Sequence, residues 1–260
     1  MILFVDGIDG TGKSTLVARL LDDVARLGTP AVVAPPLWTF LEPISAPEDF
    51  GPWVRATPGG EVGRHLVKAM THRVETLHAD SIGGPQAIVL VDRGPRTVAC
   101  SARAQARTGA RSEHPDRSVF GTAQRLLEQR VADLLAAVPA VSVELRHHGQ
   151  FDLVLRRLAA FEQLTQRYLD YLHVFADEMT SSPDWPSVPR VALDAGARVD
   201  ANADACLAWL KERRPPCRGA ADPSFKVGGD SAKGRRHRHA PLGLPVHLAP
   251  TGGVAKGAGR

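Results

Sequence analysis

Cysteine is scarce and scattered in this chain. The three present, Cys100, Cys206 and Cys217, stand far apart and form no C-x-x-C. That excludes a metal knuckle and a disulfide framework and fits a reducing cytoplasm. No apolar run approaches the roughly 20 residues that a bilayer-spanning helix needs, so no membrane partner is expected. The apolar start is too short for a signal peptide and runs at once into a glycine-rich turn. No internal repeat is visible. Lysine is thin while alanine, arginine, glycine and proline are plentiful, a bias of base composition more than of chemistry.

At 260 residues the chain is one domain of ordinary size with a tail, long enough to bury a full core. Its formal charge of +4 misleads. From Arg214 onward there are nine Lys/Arg and two Asp/Glu, a balance of +7. Of the chain's 32 basic and 28 acidic residues, 23 and 26 therefore fall in 1–213, a balance of −3. A mildly acidic folded part argues against a nucleic-acid-binding surface. Nine Gly and six Pro among the last 47 residues, without period, read 214–260 as a disordered basic tail, with Gly234 to His239 as its cluster.

What is present begins at the start. Ile2 to Val5 read as a short buried strand, and Gly7, four residues, then Gly12-Lys13-Ser14 give G-x-x-x-x-G-K-[ST], the phosphate-binding P-loop. Its glycines let backbone wrap an anion, and the turn's N–H groups and the next helix's N-terminus point at phosphate oxygens. Lys13 supplies a point charge between β- and γ-phosphates, and Ser14 offers a hydroxyl to Mg²⁺.

The remainder alternates strand and helix. Leu16, Leu20, Val24 and Leu27 make one apolar stripe over a helix from Ser14 to Leu27, closed by Gly28. Ala31 to Ala34 is a second strand. Residues 35–60, rich in Pro and Gly, read as irregular with one short helix; Trp38, Phe40 and Trp53 there suit a substrate pocket or a satellite core equally. Helix is expected over Glu61 to Ser81, stopped by Gly83-Gly84-Pro85. The run Ala87 to Val91 has the continuous apolar character of a central parallel strand and ends in Asp92-Arg93-Gly94. Further helices are expected over Arg96 to Thr108 and Val119 to Val138, separated by a polar stretch with His114-Pro115. Val141 to Leu145 is strand four, followed by a basic stretch from Arg146 to Arg157. A long helix from about Leu158 to Met179, strand five at Arg190 to Leu193 and a last helix at Asn202 to Arg213 complete the pattern. The fold class expected is α/β, a P-loop NTPase three-layer sandwich with a five-stranded parallel sheet and helices on both faces.

Open α/β sheets bind ligands outside the carboxyl ends of their strands. That rule selects the 7–15 loop, residues 35–43, Asp92-Arg93, the 146–157 stretch and the 194–199 loop. Asp92 can hold Mg²⁺ or accept a proton from an attacking hydroxyl, and Arg93 can clamp a phosphate. Arg73, an arginine amid apolar neighbours on a helix face, seeks an anionic ligand or a structural partner. Arg146, Arg156 and Arg157 can bring cations to a migrating phosphoryl group. His147-His148 reads as a polar loop, since no third metal ligand is evident. No N-K-x-D occurs, and no extended apolar strand ends in Asp-Glu, so a small-molecule kinase is favoured over a GTPase switch or motor.

FVDGIDGTGKST, LVKAMTHRVETLHADSIGGPQAIVLVDRG, FEQLTQRYLDYLHVF and RVALDAG together resemble the thymidylate kinase family, across about residues 1–213. The resemblance implies ATP as donor with Mg²⁺, and a donor site of Gly7, Asp9, Gly10, Thr11, Gly12, Lys13, Ser14 and Thr15. It implies Asp9 against the acceptor's sugar hydroxyl, and Arg73 and Arg93 on its phosphate or base. Pro36 and Trp38 would lie in the acceptor-side loop, and Arg156 or Arg157 would be the lid arginine, in a lid of about 146–157. Lys13, Asp92, Arg93 and a lid arginine would carry catalysis, with Ser14 and Asp92 on the metal. A homodimer through helices flanking the sheet is a further implication.

The acceptor side departs from that family. Gly94 replaces the tyrosine after Asp-Arg, Ala69 replaces a ring four residues before Arg73, and Leu37 follows Pro36 where an arginine is frequent. Deoxynucleoside kinases are the neighbouring resemblance, through QRYLDYLH and a late Glu42-Pro43, whose glutamate is an alternative base to Asp92. The expected function is ATP-dependent phosphoryl transfer to a nucleotide or nucleoside. A specialised-metabolite kinase and a non-catalytic nucleotide-binding protein are the rival readings.

Overall fold

The computed structural model describes residues 1–78, 87–108, 117–160, 164–182 and 185–213. The expected stop at Gly83-Gly84-Pro85, the His114-Pro115 stretch and the tail 214–260 lie outside the described residues. In chain order the elements are β1 (Ile2–Asp6), α1 (Lys13–Arg26), β2 (Ala31–Val33), α2 (Phe50–Ala56), α3 (Gly59–His78) and β3 (Ile88–Asp92). Then follow α4 (Pro95–Thr108), α5 (Arg117–Ala137), β4 (Ala140–Arg146), α6 (Phe151–Ala159), α7 (Gln166–Ser181), β5 (Arg190–Asp194) and α8 (Val199–Arg213).

The five strands are all parallel and lie in the order β2-β3-β1-β4-β5. Register sets Val5 beside Asp92 and Asp6 beside Glu144, so the carboxyl ends of β3, β1 and β4 emerge together. Because successive residues of a strand face opposite ways, β1 serves two cores. Leu3 and Val5 pack with Leu90 and Val143 against Leu16, Leu20 and Val24 of α1 and Ala203, Cys206 and Leu210 of α8. Ile2 and Phe4 pack with Val89 and Val91 against α3 and α5, through Leu66, Met70, Leu127 and Leu134. Each such side chain removed from water contributes about 1.5–3 kcal/mol. A third cluster gathers Ile8 of the phosphate loop with Ala104 of α4, Val154 and Leu158 of α6, and Leu172 and Phe175 of α7. The expected α/β sandwich, with helices on both faces of a five-stranded parallel sheet, is therefore observed.

Two expectations are corrected. The long helix from Leu158 to Met179 is two helices, α6 ending at Ala159 and α7 starting at Gln166. Thr165 ends the break, since its hydroxyl accepts the Tyr168 N–H at 3.3 Å and caps a new helix. The basic stretch 146–157 has Arg146 in β4, a short turn, and then the greater part of α6, because Phe151, Val154, Leu155 and Leu158 recur at helical spacing. Residues 35–58 form two 3-10 turns, Leu37–Phe40 and Pro47–Asp49, besides α2. Trp38, Phe40 and Trp53 are half-buried and pack against the α3-side core. Among the described residues no helix is long and apolar enough to cross a membrane.

Candidate active site

The phosphate loop is built from its backbone outward. Gly10 has φ 78° and Gly12, which precedes α1, has φ 91°, both in the left-handed region that side chains disfavour. At Gly10 space is also absent: a Cβ would lie 2.9 Å from Leu158 Cγ and 3.0 Å from Val154 Cγ1. The loop is thus seated against α6. The Ile8 carbonyl closes the turn, accepting from Thr11 Oγ1 at 2.8 Å and from Lys13 Nζ at 2.7 Å. Burial pulls the Lys13 ammonium down to about 8, against the opposing pull of Asp9. A buried lysine held by a single carbonyl beside the start of α1 is placed to meet anionic oxygens.

The end of β3 meets this loop. Ser14 Oγ donates to Asp92 Oδ2 at 2.6 Å. Asp92 Oδ1 is buried and has no hydrogen-bond partner among the described residues. Two hard oxygen donors, one of them a carboxylate with an unpartnered oxygen, fit a divalent cation. Among the described residues no group of three or more His, Cys, Asp or Glu is placed to hold a metal, so His147-His148 forms no such centre.

Arg93 follows with φ 60°, a strained backbone for a bulky residue. Four hydrogen bonds hold this turn and its side chain. The Arg93 N–H donates to Val5 O at 3.1 Å, and Arg73 Nη1 donates to the carbonyls of Asp92 and Arg93 at 2.7 and 3.3 Å. Arg93 Nη2 donates to Asp9 Oδ1 at 3.0 Å. Arg73 is fully buried in α3, which pulls its guanidinium down to about 10. Its Nε and Nη2 have no partner among the described residues. Burial alone would raise the Asp9 carboxyl, yet Arg93 and Lys13 outweigh it and hold the group below its ordinary value. The Arg93 guanidinium is raised in turn, chiefly by Asp9.

Lys13, Asp9, Ser14, Asp92, Arg93 and Arg73 therefore form one connected set. Gly7, Gly10, Thr11 and Gly12 shape the loop beside it, and Thr15 is exposed at the first turn of α1. The remaining candidates stand apart from these contacts. Arg156 is exposed on α6. Arg157 Nη1 donates to Ala195 O at 2.7 Å, tying α6 to the loop after β5. Arg146 pairs with the buried Glu144, Nε to Oε1 at 3.2 Å. Pro36 is exposed and Trp38 belongs to the core periphery. Glu42 is exposed and bonded to Lys68 at 2.7 Å, which holds its carboxyl below the ordinary value.

Sequence reading missed several polar residues. Tyr171 of α7 is buried, its hydroxyl 2.7 Å from Ser101 Oγ, and burial drives its phenol upward while Asp9 and Arg93 act on it through their charges. With Ser101 and Gln105 it forms a polar wall of α4 and α7 beside the Asp9–Arg93 pair. The signal available was Tyr171 inside QRYLDYLH, but a tyrosine in an amphipathic helix reads first as core. Asp6, Thr97 and Ser142 were missed as well. At the opposite ends of the strands an apolar cleft of about 50 Å³ is lined by Met1, Val24, Leu27, Ile88, Leu207 and Leu210 among others. It is too small and too apolar to orient a drug-sized ligand.

No protein-family model matches the chain, and no curated protein matches it. Solved structures do. Deoxyadenosine kinase from M. mycoides with bound dATP aligns with a TM-score of 0.55 and 14% identity, covering 81% of this chain and 100% of that one. The same kinase with the products dCMP and a flexible dCDP gives 0.51 at 14% identity, covering 82% and 100%, and with bound dCTP 0.50 at 11%, covering 82% and 100%. At these identities the likeness shows the fold alone, an α/β fold shared with that kinase.

Proposed function

We propose that the chain is a phosphotransferase that moves the γ-phosphoryl group of ATP to a nucleoside hydroxyl or to the phosphate of a nucleoside monophosphate. The observation that carries this reading is the meeting of Lys13 and Ser14 with Asp92, Asp9 and Arg93. A loop that only binds an anion has no need of a carboxylate with a free oxygen next to its Ser. In the proposed mechanism the loop N–H groups and Lys13 hold the donor phosphates. Ser14 and Asp92 would hold Mg²⁺, which supplies charge neutralisation at the β- and γ-oxygens. With a nucleoside acceptor, a carboxylate that does not hold the cation would take the hydroxyl proton, and Arg93 would sit against the transferring group. Phosphoryl transfer asks little covalent chemistry of the protein, so positioning and charge carry the rate.

A nucleoside acceptor is the form we favour over dTMP. Arg93 is already paired with Asp9, and Arg73 is fully buried with Nη1 on two backbone carbonyls, so neither guanidinium stands both exposed and unpaired for an acceptor phosphate. The likeness to deoxyadenosine kinase supports the same choice. A second reading, a specialised-metabolite hydroxyl as acceptor, is favoured by Ala69, which is fully buried and offers no ring to stack on a base.

An ADP-release assay over nucleosides, nucleoside monophosphates and other alcohols, with Lys13→Ala as control, tests all of this. Expected are turnover of a nucleoside, none in Lys13→Ala, and an unchanged far-UV spectrum for that variant. Normal activity in Lys13→Ala would remove the kinase assignment. Robust turnover of dTMP alone would remove the nucleoside preference.

A further inference from the structure

Asp6 is a carboxylate with 1% of its surface exposed, at the end of β1 on the face that α4 covers. A charge so placed is costly unless every lone pair is used. Its Oδ1 accepts from the Thr97 N–H at 3.1 Å and from Thr97 Oγ1 at 2.8 Å, and its Oδ2 accepts from Ser142 Oγ at 2.8 Å. Thr97 is the third residue of α4, so its N–H is one of the helix's unpaired first donors and the carboxylate caps the positive end of the dipole. The hydroxyl that donates to Asp6 also accepts the Gly7 N–H at 3.1 Å. A relay therefore runs from the first glycine of the phosphate loop, through Thr97, to Asp6.

That relay joins two pieces of the site that no local sequence pattern ties together. Gly7 opens the donor loop, and Thr97 lies in the first turn of the helix that continues from Asp92-Arg93. Gly94 belongs to the same device, because a Cβ there would lie 2.7 Å from Asp6 Oδ1 and 2.8 Å from Phe4 Cβ. We infer that Asp6 and Thr97 are positioning residues that hold the phosphate loop in register with Asp92-Arg93, so that donor affinity depends on side chains buried behind the site. The inference rests on the kinase reading.

Asp6→Ala strips a buried anion from its donors and risks unfolding, so the test uses Thr97→Val, which deletes the hydroxyl at nearly constant shape, and Thr97→Ser, which restores it. Leu134→Ala, a core truncation in α5, controls for lost stability alone. Three readouts are taken on the full chain: amide exchange at Gly7 without ligand, MgATP affinity by calorimetry, and kcat and KM for ATP with the acceptor that ADP release identifies. Thr97→Val should speed Gly7 exchange and weaken MgATP binding about tenfold, the scale of one hydrogen bond's positioning. Thr97→Ser should recover both, and Leu134→Ala should lower stability with MgATP affinity unchanged. Equal MgATP affinity in Thr97→Val, or an equal loss in Leu134→Ala, overturns the inference. A wild-type chain that binds no MgATP overturns the kinase reading instead, and leaves Gly7 exchange to decide whether the tether exists.

Discussion

Arg93 keeps a φ of 60°, which costs a residue of its size about 1–2 kcal/mol, and Arg73 repays part of that by bonding two carbonyls of the turn from below. Two arginines thus do different work: Arg73 shapes the turn, and Arg93 presents its charge to Asp9. Arg73→Met, similar in bulk but without donors, should weaken MgATP binding and lower kcat together, because the turn that Arg73 holds carries Asp92, the proposed Mg²⁺ ligand. Unchanged MgATP affinity and kcat would show that the turn keeps its shape without Arg73. Gly94 gives a sharper case. A methyl group at that position meets Asp6 and Phe4 below 3.0 Å, both parts of a strand with no room to yield. Gly94→Ala should cost about 1–3 kcal/mol in urea unfolding, the range for forcing extra atoms into a packed site. A neutral result would mean that β1 and α4 separate easily, contrary to the bonds between them.

Helices α4 and α7 are joined by charge as well as by packing. Glu178 of α7 bonds Arg103 Nε at 2.6 Å and Arg107 Nη1 at 2.8 Å, both from α4. Burial would raise the Glu178 carboxyl, but these arginines prevail and hold it below its ordinary value of 4.5. A carboxyl depressed by folding binds fewer protons in the native state than in the unfolded one, so it contributes stability above that value that fades as pH falls below it. The stability difference between wild type and Glu178→Gln should accordingly be level near neutrality and shrink below about pH 4.5. A difference that holds to pH 3 would remove the ion pairs as its cause. Legibility in sequence follows the same scale. The loop, α1 and the Asp92-Arg93 turn were readable because glycine spacing and a run of apolar residues are local signals. The α6–α7 break was not, since apolar spacing continues across it and the new helix is announced by the single hydroxyl of Thr165. Asp6 and its partners were invisible for a different reason: Thr97 and Ser142 stand 91 and 136 residues away along the chain. The placing of Trp38 in the core periphery likewise depended on what packed over it.

Charge divides the chain after Arg213: residues 1–213 carry a balance of −3 and 214–260 one of +7. The described residues, which end at Arg213, fall in one compact unit. Its last element, α8, is indispensable to it, since Ala203, Cys206 and Leu210 are buried against Leu3, Val5 and Leu20. Every residue of the connected site lies before that helix. We therefore propose that 1–213 is the catalytic domain. A chain ending at Arg213, which keeps the stacking of that guanidinium 4.6 Å above Trp209, should melt like the full chain and bind MgATP equally. Ending it at Arg198 removes α8 and strips one wall from the core, so that shorter chain should aggregate or melt far lower. If the chain ending at Arg213 folds normally but loses MgATP affinity or ADP release, the basic tail takes part in the reaction, and the domain boundary proposed here is wrong.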